Sequence, residues 1–510
     1  MKKFFGIGLF VILSIVSFIS CSHIHKNKSH QRIPESSIKA GKKLAAQYCG
    51  SCHLLPDPSL LDTKSWENGV LPEMGPRLGI FYYFRHYPSS KNDSNVNKNY
   101  YPSQPVLSYD QWKNILDYYT ATSPDSLLPA KKSPPIQINN KFFQPIQASF
   151  KYNMPAITFV KIQPNHQLLI CDAIAKKLFV FNQSLQLTDS INTEGSVTDI
   201  LKTHDTLIVC NTGVLNPNNG KFGSVCKIIT GEKNYADTLS KNLMRPVQIT
   251  GADLNNDGRE DYIVCEFGNL EGALSWLENK GNNKYIYHII RDAPGSIMTH
   301  VTDYNHDDLQ DLWTLFAQGN ESIFLFTNKG NGNFESKQVL QFPPSYGSSS
   351  FELDDFNGDG FPDILYTCGD NADYSRVFKP YHGVYIFLND GKNNFKKKYF
   401  YPINGCYKAI ARDFDNDGDL DVATISFFAD YANHPEEGFV YFKNDGNFKF
   451  EPYNLPAAKN GRWLTMDAGD FDGDGKIDLI LGNFSLSDKM AKASIDWTQQ
   501  PAFLVLRNIQ

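Results

Sequence analysis

Five acidic segments of nine residues recur along the C-terminal part of this 510-residue chain, and they constrain its fold more than any other feature. Each places carboxylate or amide groups at positions 1, 3 and 5 and an aspartate at position 9. The copies are Asp253-Asn255-Asp257-Asp261, Asp303-Asn305-Asp307-Asp311, Asp355-Asn357-Asp359-Asp363, Asp413-Asp415-Asp417-Asp421 and Asp470-Asp472-Asp474-Asp478. Gly258, Gly360, Gly418 and Gly475 fill position 6, whereas the second copy has Asp308 there. The first aspartates lie 50, 52, 58 and 57 residues apart, the period of a four-stranded propeller blade.

The segments between the loops read as strands. Tyr262-Ile263-Val264-Cys265, Ile364-Leu365-Tyr366 and Leu479-Ile480-Leu481 each follow an acidic loop directly. A third strand follows, as in Ile323 to Phe326 or Val384 to Phe387, then a glycine-asparagine turn and a fourth strand that starts near Phe334, Phe395 or Phe448. Upstream, Ile157 to Ile191 and Val197 to Leu239 read as two blades without acidic loops. Residues 145–510 divided by the mean spacing predict seven blades. The last blade is one strand short, and Phe143 to Phe150 is placed to complete it, which closes the ring and removes sheet edges.

The loops resemble the calcium sites of FG-GAP, or VCBS-type, repeat propellers, with the pattern D-x-[DN]-x-D-G-x-x-D. Alternating side-chain oxygens on a tight turn suit a hard cation that takes six to eight oxygen ligands. The resemblance makes all twenty positions above calcium ligands in a bracing role, with the fourth and fifth copies binding tightest and the Asp303 copy empty. An EF-hand is excluded: its glutamate at position 12 is replaced by Tyr366, Thr424 and Leu481.

At the other end of the chain, Cys49-Gly50-Ser51-Cys52-His53 forms C-x-x-C-H, the attachment pattern of c-type haem. Two thiols on one turn suit thioethers to the two vinyl groups, and the adjacent imidazole becomes the proximal iron ligand. Ile38, Gly41, Leu44, Ala45 and Tyr48 form one amphipathic stripe. Ser108 and Gln111 cap a second helix that carries Trp112, Ile115, Leu116 and Tyr119. The segment 36–125 resembles a small class I cytochrome c domain, with Gly41 at the helix crossing. The distal ligand is Met74, expected on a stiff loop between Pro72 and Pro76, with His86 as the competitor.

Lys2 and Lys3 precede an uncharged run from Phe4 to Ser20, and Cys21 follows. This resembles the signal peptide and lipobox of bacterial lipoproteins, with Phe18 where the box has a small aliphatic residue; an uncleaved anchor is the alternative. Residues 1–20 are then a signal peptide, Cys21 the lipidation site, 21–35 a flexible tether, 36–125 the cytochrome domain, 126–144 a linker and 145–510 the propeller. Both readings put the chain outside the cytoplasm as a membrane-anchored protein of the outer membrane or periplasm.

Net charge of −6 without a basic block argues against nucleic-acid binding, and 41% hydrophobic content argues against disorder. Cys171, Cys210, Cys226, Cys265, Cys368 and Cys406 mostly end apolar strands and read as buried thiols, although an oxidising compartment permits pairing. There is no G-x-S-x-G, H-E-x-x-H or P-loop, so no catalytic residue is assigned. Asp370, Asp373, His382 and His434 fall in blade loops. The whole chain resembles exported bacterial lipoproteins that join a cytochrome c domain to an FG-GAP/VCBS propeller. The expected function is one-electron transfer through haem c with an envelope redox protein, while the propeller binds a protein or glycan. A propeller that oxidises a sugar or alcohol with the haem as acceptor, and an adhesion protein, are the alternatives.

Overall fold

The computed structural model describes residues 24–81, 89–203, 205–229, 236–372, 374–486 and 495–510. The expected signal peptide, Cys21, His86 and Asp373 lie outside the described residues. Among the described residues no helix is long and apolar enough to cross a membrane.

Seven sheets form the propeller. In blades 1 to 6 the four strands follow chain order: Ile157 to Asn192, Val197 to Leu243, Pro246 to Asp292, Ser296 to Gln341, Ser348 to Pro402 and Cys406 to Asn454. Blade 7 takes Trp463–Gly469, Asp478–Asn483 and Phe503–Asn508 from the C-terminal end. Its fourth strand is Phe143–Ile146, antiparallel to the last strand with Phe143 opposite Asn508 and Ile146 opposite Val505. The ring therefore closes through both ends of the array, as the missing strand predicts.

The second strands supply the core. Second strands such as Asp261–Glu266, Asp311–Phe316 and Asp363–Cys368 are buried along their whole length, whereas fourth strands such as Phe334–Gln341 are mostly exposed. The six propeller cysteines are all buried and unpaired.

A ring of side chains ties the innermost strands together, one bond at every seam. Thr158 Oγ1 donates to Val197 O (2.5 Å), Asp199 Oδ2 accepts from Ile249 N (3.1 Å), and Gln248 Oε1 accepts from Thr299 N (3.2 Å). His300 Nε2 lies 2.9 Å from Phe351 O, and Glu352 Oε2 accepts from Ala411 N at 2.9 Å. Lys408 Nζ donates to Met466 O (2.9 Å), and Asp467 Oδ2 accepts from Ile162 N (2.8 Å).

The N-terminal unit is helical. Helix α1 (Glu35–Tyr48) crosses α3 (Tyr109–Thr122) at Gly41, where an added Cβ would lie 1.8 Å from the Asn114 carbonyl oxygen. The Ser108–Gln111 capping box is formed in both directions. Between them α2 comprises Thr63–Ser65, a π-helical turn Trp66–Val70 and Leu71–Arg77.

Three expectations need correction. Met74 sits on a helix, not a loop: the π turn, closed by Leu71 N to Trp66 O, shifts the hydrogen bonding just before Pro72, so the missing donor falls in a new first turn. The segment expected as a tether is packed from Asn27 on. The buried Asn27 amide donates to Thr63 Oγ1 (2.9 Å), Thr120 O (2.5 Å) and Ser123 O (3.0 Å), satisfying carbonyls at the end of α3. The linker 126–144 contains a strand, Gln137–Ile138, which runs parallel to Tyr453 and Asn454 on the outer edge of blade 6.

Candidate functional site

The C-x-x-C-H residues occupy the turn that ends α1. Cys49–Ser51 is a single 3-10 turn, with Cys49 half-buried and Cys52 exposed. Burial, with Cys52 adding to it, pushes the Cys49 thiol up to about 11, and neither cysteine is in a disulfide. Burial, and then the nearby Arg77 cation, holds the His53 imidazole below its usual range and favours its neutral form. Its Nδ1 lies 2.9 Å from the Leu54 carbonyl oxygen, which can only accept. Nδ1 therefore carries the proton, and the Nε2 lone pair has no hydrogen bond among the described residues. A ring fixed by its backbone-bonded nitrogen is the arrangement of a metal-ligating histidine. Met74, Leu55 and Cys49 pack against the same core as Trp66 and Trp112. The donor set fits a haem held by two thioethers and an imidazole.

The five acidic loops share one geometry. The position 1 aspartate accepts the N–H of position 6 on Oδ2, at 2.8, 3.0, 2.7, 3.0 and 3.1 Å from the first copy to the fifth. Position 6 has φ of +79°, +86°, +94° and +84° in the glycine copies, and Asp308 is held at +64° in the second, a strained value for a residue with a Cβ. In the fourth and fifth copies the carboxylates of Asp413, Asp415 and Asp417, and of Asp470, Asp472 and Asp474, bring ligand atoms within 4.8 Å of one another. Oxygen donors converging in this way fit calcium.

Two features of these loops were not legible beforehand. The position 9 aspartates turn inward: Asp261, Asp311, Asp363, Asp421 and Asp478 are fully buried, and each Oδ1 accepts the backbone N–H that ends the third strand, from Asn279, Asn328, Asn389, Asn444 and Asn508 at 2.7 to 2.8 Å. They clamp the loop to the blade, and the cation donors converge from positions 1, 3 and 5. The two most acidic loops also carry their own cations, since Lys443 Nζ lies 2.7 Å from Asp415 Oδ2 and Arg507 Nε lies 2.6 Å from Asp472 Oδ2.

The acidic loops join first to second strands and so lie at one end of the propeller. The loops between second and third strands lie at the opposite end, where the helical unit docks. Tyr381 donates to Leu60 O (3.0 Å), Asn219 donates to Asp93 Oδ2 (3.0 Å), and Val377 packs into the helical core. Gly69 lies against Tyr374, where a Cβ would stand 1.9 Å from its carbonyl oxygen. These contacts join blade 2 to blade 5 across the mouth of a central channel of ≈ 1310 Å³. Its wall includes Lys161, Asp199, Lys408 and Asp467 inside, with Phe427 and Asp370 at the mouth. Of the other loop residues singled out, His382 is buried, and His434 Nδ1 lies 3.0 Å from Glu436 Oε1.

The FG-GAP-like repeat model matches residues 303–366 and 427–481, so the chain carries FG-GAP repeats in a seven-bladed β-propeller. Cartilage acidic protein 1 of Mus musculus is 32% identical over 167 residues, 31% of this chain and 25% of that protein. A T-cell immunomodulatory protein homolog of Plasmodium falciparum is 24% identical over 261 residues, 45% of this chain and 36% of that protein. The chain thus spans about a quarter to a third of the length of these relatives. Virginiamycin B lyase from Staphylococcus aureus superposes with a TM-score of 0.45 at 13% identity, over 72% of this chain and 99% of that one.

Proposed function

We propose that the chain is an exported, lipid-anchored c-type cytochrome in which a small class I cytochrome domain exchanges single electrons and the FG-GAP propeller binds a protein or glycan. The observation that carries the reading is the His53 ring, fixed through Nδ1 and with no hydrogen bond to Nε2 among the described residues, directly after two unpaired cysteines on one turn. Cys49 and Cys52 hold the haem, His53 ligates the iron, and Met74 is the second ligand, with His86 as the alternative. When bound, the haem supplies one-electron exchange between a reduced and an oxidised envelope protein; a thioether ligand sets a higher potential than a second imidazole. Cys21 carries the lipid. The propeller's binding role is supported by its FG-GAP repeats, and calcium in the acidic loops braces first strands to second strands.

A second reading is favoured by the position of the helical unit across the channel mouth. A sugar or alcohol oxidised in the channel would deliver its electrons to the haem one at a time. Matured, lipid-free protein mixed with reduced redox proteins and, separately, with a panel of sugars and alcohols separates the two. Reduction of the haem by proteins alone is the expected result; reduction by a small substrate moves the chemistry into the propeller.

A further inference from the structure

Four aromatic rings converge at the channel mouth on the side of blades 6 and 7. Phe427 is at their centre, with ring centroids 4.9 Å from Phe428, 5.7 Å from Phe484 and 6.0 Å from Tyr407. All four line the channel and are partly exposed. Phe427 and Phe428 follow the second strand of blade 6, Phe484 follows that of blade 7, and Tyr407 is the second residue of the innermost strand of blade 6.

A buried arginine fixes the cluster. Arg462 Cζ lies 3.7 Å from the centroid of the Phe427 ring, its Nε donates to Phe427 O (3.1 Å), and its Nη1 donates to Leu486 O (2.7 Å). Its own carbonyl accepts from Phe484 N at 2.9 Å. One guanidinium therefore ties the loops of blades 6 and 7 together and holds Phe427 by backbone and ring at once. Rings held in this way meet a ligand with little further loss of side-chain freedom.

The channel wall selects the kind of ligand. It carries five lysines and arginines against six aspartates and glutamates. Inside, Lys161 pairs with Asp467 at 3.0 Å and Arg412 with Glu352 at 3.3 Å, while the Asp199 carboxylate accepts from Ile200 N (2.9 Å) and Ile249 N (3.1 Å). A wall balanced in this way exerts little net pull on an ion of either sign. Polar groups complete the rim, with Asn216 from blade 2, Gln318 from blade 4 and Asp370 from blade 5. Aromatic faces beside amide and carboxylate groups suit a molecule that has apolar C–H faces and a hydroxyl edge, which is the chemistry of a pyranose ring. The helical unit, held by blades 2 and 5, spans the same mouth, so a slender chain fits the opening better than a second globular surface.

We infer that the mouth of the channel between blades 6 and 7 binds the end of a neutral glycan, with a sugar ring stacked on the Phe427 cluster. This rests on, and narrows, the reading of the propeller as a binder of protein or glycan.

The test uses the full matured chain and calorimetric titration with cellotriose, maltotriose, mannotriose and chitotriose, and with two charged trimers, of galacturonate and of glucosamine. At least one neutral trisaccharide should bind more tightly than both charged ones. F427A and F427L should each weaken that binding by about tenfold, the second because leucine keeps apolar bulk and lacks a ring face. F361A removes an exposed aromatic at the acidic end and should bind like wild type. Should both Phe427 variants fail to fold, F484L decides in their place. Binding of no trisaccharide, or tightest binding of a charged one, overturns the neutral-glycan site and leaves the propeller a protein partner. Neutral-sugar binding that survives F427A and F427L, or that falls equally in F361A, overturns the site at this mouth while the glycan reading stands.

Discussion

At one end of the propeller five loops repeat the same hydrogen bonds blade after blade, each clamped by a buried aspartate. At the other end the corresponding loops differ in length and content, from 317–321 to 369–382 and 484–502, and they hold the helical unit and frame the channel mouth. Repetition marks the end that stabilises the ring, and irregularity marks the end where the two units meet. Function is therefore expected at the irregular end, even though the acidic end carries the stronger sequence signal.

The largest effect that distinguishes the ends comes from the clamp. Asp421→Ala strips an acceptor from Asn444 N (2.7 Å), Phe414 N (3.3 Å) and the Tyr441 hydroxyl (2.6 Å). At about 1–3 kcal/mol for each buried orphan, propeller stability should fall by at least about 3 kcal/mol in denaturant titration. Asp417→Ala, exposed in the same loop, should cost under about 0.5 kcal/mol without calcium. Equal costs would erase the distinction between clamp and cation donors.

Gly69→Val probes the opposite end, because its Cβ would meet the Tyr374 carbonyl oxygen at 1.9 Å. Overpacking of about 1–3 kcal/mol should fall on the docked interface, leaving the propeller's melting unchanged. Limited proteolysis should then cut the 126–144 segment faster; loss of the propeller transition would contradict separable units.

Calcium sharpens the comparison further. Chelation should lower the propeller's stability by about 1–3 kcal/mol if calcium is near a hundredfold above its Kd, and an unchanged melting curve would sink the metal assignment. Lys443 occupies the fourth loop through Asp415, Asp417 and Asp445 at 2.7, 3.3 and 3.3 Å, so Lys443→Ala should tighten calcium binding there by calorimetry. The expectation that the fourth and fifth copies bind tightest is thus conditional on Lys443 and Arg507 swinging away.

The smallest effect is a pH dependence. Burial keeps His300 below its usual range, so below about pH 6.5 the unfolded chain takes up a proton that the folded one resists. Stability from this group is present above that pH and is lost as pH falls through the folded value. His300→Gln, which keeps a partner for Phe351 O, should flatten that part of the wild-type pH profile; an identical slope would remove His300 as its source.

Much of the propeller was legible because its signals are local. Acidic turns, alternating strands and a missing fourth strand predicted seven blades and the closure by Phe143–Ile146. The Ser108–Gln111 box and Gly41 likewise marked the helix pair through chemistry within a few residues. What escaped depends on distant partners. Pro72 and Pro76 look like helix breakers around Met74 until the π turn absorbs the first of them. Polar Asn27 looks like tether until it finds Thr120 and Ser123. The seam ring had a fainter signal: a polar or charged residue at the third or fifth position of six of the seven inner strands, Asp199, Gln248, His300, Glu352, Lys408 and Asp467, with Thr158 at the second position of the first.

The most direct measurement is mass spectrometry of the tryptic peptide that carries Cys49, Cys52 and His53, from protein exported by a host with c-type haem maturation. A haem covalently joined to both cysteines is the expected result, with an absorption spectrum that survives denaturation. Two unmodified thiols in folded, exported protein would contradict it.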